Sequence, residues 1–168
     1  MIISLLKKLT SYLGYQAIAK LIKKDYYCGE FDERIVRAYW LGNRKIYFNH
    51  NLAVLEQFTI INADEHLSVE TAKEKLDCAI SFGEVVEVDL KQKKAQVLNQ
   101  GFLYEKGRVI FRRETRKVDI LFIPDIKKGD WVSIHRDIVR EKISQKQAIN
   151  LKDITLKALK KSQNSMIE

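Results

Sequence analysis

The chain has 168 residues, with 30 Lys+Arg against 22 Asp+Glu, a net charge of +8, and 46% apolar residues. That balance belongs to a folded chain long enough to bury a core without staples, and it excludes a disordered one. Two cysteines exclude a disulfide framework and a four-cysteine zinc site, and seven glycines with one proline exclude collagen-like or low-complexity segments.

The charge is unevenly spread. Residues 1–24 carry +5, residues 25–77 carry −4, residues 78–90 carry −3, residues 91–128 carry +7 and residues 129–168 carry +3. The apolar run at the start stops after Leu6, too short for a signal-peptide core, and no apolar run reaches a membrane span. The expectation is a cytoplasmic protein with reduced thiols.

Ile2, Leu5, Leu6, Leu9 and Leu13 recur at helical spacing, and after Gly14 the apolar set Ala17, Ile18, Leu21 and Ile22 turns to the opposite face. Such a basic amphipathic segment packs on its own domain or lies on an anionic membrane. Asp32 caps a predicted helix over Glu33–Leu41 that Gly42-Asn43 ends. Its Tyr39 and Trp40 are expected to be core rather than recognition residues. Residues 50–61 start as a helix, and Ser68 caps another through Leu76, with Ala72 and Leu76 inward.

The pattern changes at Cys78. Residues 79–89 read as a strand, as do Lys94–Leu98, Phe102–Tyr104, Arg108–Arg112, Lys117–Ile123 and Trp131–His135. Short strands this closely spaced suggest a small barrel. Ser144 and Gln147 form a capping box that opens a helix with Ala148, Leu151, Ile154, Thr155, Ala158 and Leu159 on one face. The fold class is therefore α+β: N-terminal short helices over residues 1–77, then an OB-like β-barrel with a C-terminal helix over residues 78–168.

Two segments carry a resemblance. The first runs Cys78-Ala-Ile-Ser-Phe-Gly83-Glu-Val-Val-Glu-Val-Asp89. The second runs Pro124-Asp-Ile-Lys-Lys-Gly129-Asp130-Trp131-Val-Ser-Ile-His135 and continues to Glu141-Lys142-Ile143. In their order and spacing they resemble the HypC/HupF hydrogenase assembly chaperones over about residues 78–160. That resemblance implies a non-enzymatic carrier of an iron fragment with cyanide and carbon monoxide ligands. The fragment would pass between a HypD-type scaffold protein and the large subunit of a [NiFe]-hydrogenase. By motif match the metal contacts would be Cys78 and, in support, His135, with Gly83, Gly129, Asp130 and Trp131 toward partners. In that family the cysteine directly follows the initiator methionine, whereas Cys78 is internal, and Phe82 stands where the family has proline. The segment Phe31–Asn43, together with Gly129–His135, also resembles uncharacterised bacterial proteins.

The residue types fit in outline. A thiolate is the soft donor such an iron fragment favours, and imidazole also suits iron. A second reading of Cys78 is a small buried residue at a strand start. The neighbours of Cys78 in sequence supply no positive charge, which leaves His135 as the candidate. Cys28, His50 and His66 read as structural, surface or capping residues. A rival function is single-stranded nucleic-acid binding, with Arg108, Arg112, Arg113 and Lys117 as the basic set and Phe102, Tyr104 and Phe111 as stacking aromatics. A third is a metal-free protein adaptor. No phosphate loop, paired-histidine metal spacing or nucleophile elbow argues for an enzyme.

Overall fold

The computed structural model describes residue 16 and residues 33–42, 50–52, 54–55, 69–106 and 108–164. The amphipathic segments expected over residues 2–22, residue 16 apart, lie outside the described residues, as do Cys28 and His66. The chain divides into two compact units, residues 66–152 and residues 1–65 with 153–168. No helix among the described residues is long and apolar enough to cross a membrane.

In the second of these units, helix α1 (Glu33–Leu41) forms where Asp32 precedes it, and it buries Ala38, Tyr39 and Leu41. It stops at Gly42, whose φ of +83° suits glycine and whose Cβ would collide with Ile154 Cδ1. His50, expected as a surface or capping residue, is half-buried and lies against Trp40, with ring centroids 4.6 Å apart. Asn51 is fully buried and donates from Nδ2 to Thr155 Oγ1 at 3.0 Å, which satisfies a group that would otherwise be costly inside.

The unit of residues 66–152 contains helix α2 (Val69–Leu76) and five strands: β1 (Ser81–Asp89), β2 (Lys94–Glu105), β3 (Arg108–Asp119), β4 (Trp131–His135) and β5 (Ile138–Ile143). The strands close into a barrel in the order β1-β2-β3-β5-β4. Neighbours are antiparallel except β3 and β5, which meet in parallel at Asp119 and Ile138. This is the OB-like arrangement. Alternation sends Val85, Val97, Val118, Val132, Ile134 and Val139 inside, where they form one cluster. Each such side chain contributes about 1.5–3 kcal/mol by leaving water. Ile123 and Ile126 join the cluster from the β3–β4 connection, so that connection plugs the barrel.

Two strands are longer than their local patterns suggest. Lys94–Leu98 and Phe102–Tyr104 are one strand, and Arg108–Arg112 continues unbroken to Asp119. The polar runs Asn99-Gln100-Gly101 and Arg112-Arg113-Glu114 hide this continuity, although they pair with each other across the hairpin. β3 ends at Asp119, not Ile123, because there the ladder passes to β5, and Leu121 and Phe122 turn outward. β5 goes unnoticed in the sequence because Arg140-Glu141-Lys142 masks its alternation.

The connection before β4 is held by paired contacts. Gly129 donates to the Val85 carbonyl at 2.8 Å and Val85 donates back to Asp130 O at 2.9 Å. Lys142 Nζ reaches Asp125 at 2.7 Å and Asp130 at 3.1 Å. Helix α3 (Gln145–Asn164) opens with the expected capping box: Gln147 N donates to Ser144 Oγ at 3.2 Å and Ser144 N to Gln147 Oε1 at 2.8 Å. Ala148, Leu151, Ile154, Thr155, Ala158 and Leu159 are all buried.

Two outcomes follow from this packing. A Cβ at Gly83 would collide with the Leu98 carbonyl and lie 2.7 Å from Val97 Cγ1. Gly83→Ala should therefore lower unfolding stability by about 1–3 kcal/mol, read by urea denaturation. Lys142 holds the Asp125 carboxyl below its ordinary 3.8, chiefly by its hydrogen bond, and the same bond holds the ammonium above its ordinary 10.5. A lowered carboxyl pKa gives stability that is present above the ordinary value and lost as pH falls through the folded one; a raised ammonium pKa gives stability lost as pH rises. Lys142→Met should thus melt below the wild type between about pH 4 and 10, and the gap should close at either extreme.

Candidate functional site

Helix α2 does not stop abruptly. Its last turn tightens, with Cys78 N donating to Lys75 O at 3.1 Å and Ala79 N to Leu76 O at 2.8 Å. This brings Cys78 to the carbonyl end of the helix, half-buried and in no disulfide. Its thiol reaches Glu74 O at 3.7 Å.

Strands β4 and β5 are joined by only Arg136 and Asp137, with φ of +52° and +60°. Two left-handed residues make the tight hairpin turn whose twist matches the strands, a place usually filled by Asn, Asp or Gly. An arginine there costs about 1–2 kcal/mol, so surrounding contacts must hold it. Arg136 N donates to Asp77 O at 3.2 Å, and Asp119 N donates to Asp137 O at 2.7 Å. Arg116 donates to Asp77 Oδ1 at 3.1 Å and is ion-paired to Asp137 through Nε. Burial pulls the Arg116 guanidinium down, but the Asp137 and Asp77 carboxylates outweigh it and hold it above its ordinary value.

The turn thereby lays the Arg136 guanidinium on Cys78, with NH2 donating to Sγ at 3.2 Å. The contact raises the Arg136 pKa, first by this hydrogen bond and then by charge at the sulfur. The positive partner that the sequence around Cys78 lacks comes from the far motif, from the residue after His135. His135 ends β4, half-buried, with Nδ1 3.5 Å from Arg140 NH2. When Arg140 donates there, the neutral ring carries its proton on Nε2 and offers a donor on that side. The guanidinium of Arg136 contacts the sulfur, and the His135 ring contacts Arg140. Among the described residues no group of three or more His, Cys, Asp and Glu gathers as a metal cage.

The remaining predicted residues are scattered over the barrel. Gly83 is interior, where β1 and β2 approach too closely for a side chain. Gly129 takes φ +89° in the turn before β4, and Asp130 accepts the Lys127 amide at 3.0 Å. Trp131 is half-buried between Glu84 and Ile143. The basic set Arg108, Arg112, Arg113 and Lys117 is exposed on β3, and Arg112 also pairs with Glu105 at 3.6 Å. Phe102 is buried and packs edge-on against Phe111, which also meets Phe82. Phe82 and Phe102 are buried, and Phe111 and Tyr104 are half-buried. Arg116, Arg136, Asp77 and Asp137 escape sequence reading, although the turn-length gap between two strands at Arg136-Asp137 is a usable signal once β5 is recognised.

The model of a family of unknown function, DUF6390, matches residues 46–168. The chain belongs to DUF6390. Its match covers the whole barrel and helix α3, and it lends no weight of its own to the hydrogenase-chaperone resemblance. No curated protein and no solved structure is detectably similar to the chain.

Within this DUF6390 chain, Arg116 adds a side-chain tie between Asp77 beside Cys78 and Asp137 in the β4–β5 turn. Both its carboxylate partners are half-exposed, at 51% and 55%, so solvent limits the pair's worth. Arg116→Met should cost about 1 kcal/mol of stability. It should also accelerate hydrogen exchange at the Arg136 amide more than at the Val85 amide, read by NMR, with the difference shrinking in high salt.

Proposed function

We propose that this protein is a non-enzymatic carrier of a soft metal fragment, of the iron–cyanide–carbonyl kind that the HypC/HupF resemblance implies. The fragment would sit on Cys78 Sγ with His135 beside it. The single observation that supports this reading is the contact between Arg136 and Cys78, because it joins the two motifs on which the resemblance rests.

The chemistry is coherent. A cysteine sulfur is the soft donor for such iron, and a cation at the sulfur complements the thiolate form that binds metal. The guanidinium has further N–H donors, which suit anionic ligands on a bound cargo. With one protein sulfur as the principal contact, the other positions of the metal stay open to a partner, as delivery requires; a closed four-ligand cage would retain it. A HypD-type scaffold and a hydrogenase large subunit are the donor and acceptor this reading implies.

The test is anaerobic purification from a native host that is assembling hydrogenase, followed by iron analysis and infrared spectroscopy. Wild-type protein should carry iron and show cyanide and carbonyl stretching bands. Cys78→Ala should show neither. Arg136→Asn, which suits the left-handed turn, should keep the melting temperature and lose retained iron. Wild-type protein free of iron and bands, or bands unchanged in Cys78→Ala, would overturn the proposal.

A further inference from the structure

Three large apolar side chains stand in water on two adjoining turns. Leu90 is 62% exposed in the β1–β2 turn, and Leu121 and Phe122 are 54% and 65% exposed just after β3. The turns are tied together, because Ile120 N donates to Lys93 O at 3.0 Å. Single exposed leucines are ordinary, but consecutive Leu121-Phe122 between buried Ile120 and Ile123 is not. The plug residues must point inward, and the chain between them is forced to show its largest side chains outside.

Beside Leu90 the cations outnumber the acids. Lys91 and Lys93 follow Leu90 and are exposed, and Lys127 and Lys128 are exposed later in the same β3–β4 connection. The acids of these segments are partly engaged. Asp119 is ion-paired with Lys94, Asp125 and Asp130 share Lys142, and the exposed Asp89 accepts the Gln92 amide at 3.0 Å. The surface left to a partner is apolar at its points and cationic beside them.

We infer that this tip docks reversibly on an anionic lipid membrane, with Leu90, Leu121 and Phe122 entering the interface and the lysines meeting headgroups. Apolar residues on turn tips, rather than on a flat strand face, suit insertion into a fluid boundary. Lysine is depleted in protein–protein interface cores, yet it is the favoured neighbour of apolar side chains at a lipid surface, where its stem lies along the apolar region and its ammonium reaches phosphate. Three side chains give weak binding that depends on the added charge. This inference stands apart from the Cys78 reading and uses neither Cys78, His135 nor Arg136.

The experiment is co-sedimentation of the full chain with vesicles of phosphatidylcholine alone and of phosphatidylcholine with phosphatidylserine. Wild-type protein should sediment with the anionic vesicles at low salt and be released at high salt. Phe122→Asp should weaken partitioning about tenfold or more, from loss of one large apolar side chain. Lys93→Ala should weaken it about fivefold. Both positions are exposed, so circular dichroism should show an unchanged fold. Wild-type protein that ignores anionic vesicles overturns the inference. So does a Phe122→Asp variant that sediments as wild type does, since the lipid contact would then lie elsewhere in the chain.

Discussion

The guanidinium of Arg116 lies between two carboxylates drawn from distant parts of the sequence, Asp77 at the end of α2 and Asp137 in the β4–β5 turn. Without it, two like charges would face each other beside a helix terminus that already carries partial negative charge. With it, the end of α2, strand β3 and the β4–β5 turn share one corner. Cys78 and Arg136 are brought together at that corner, because Arg136 N donates to Asp77 O and Asp119 N donates to Asp137 O. The barrel supplies the rigid wall, and the ion cluster decides what is displayed on it.

Much of the architecture is legible before any coordinates. Helix α1 announces its cap and its glycine stop. The Ser144–Gln147 box and the stripe through Leu151 and Ala158 define α3. The barrel follows from the density of short apolar alternations. What is not legible has physical causes. In β2 and β3 the polar stretches that look like loops are cross-paired, so their stability comes from the partner strand and not from their own pattern. In β5 a run of charges conceals two buried positions, Val139 and Ile143.

The candidate site is legible by halves. Cys78 and His135 are visible as residue types at suggestive spacing. Arg136 is not, because an arginine at a left-handed turn position contradicts local preference, and only tertiary contacts explain it. That contradiction is itself informative. A residue kept where the backbone disfavours it is held by something else, and here that something ends on a sulfur. The aromatic and basic residues of the β2–β3 hairpin teach the reverse lesson. Their types suggest a nucleic-acid face, yet Phe82, Phe102 and Phe111 spend their rings on one another. Composition cannot distinguish these uses, and an OB-like barrel does not choose between them.

Asp119 touches both surfaces described above. Its amide binds the turn that carries Arg136, its carboxylate binds Lys94, and the next residue's amide binds Lys93 beside Leu90. Val118 and Ile120, on either side of it, are buried in the core. The turn that carries Arg136 and the apolar tip are therefore both bonded to one short stretch of chain at Asp119 and Ile120. If the tip rests on a surface, that turn is tethered beside it by two backbone hydrogen bonds.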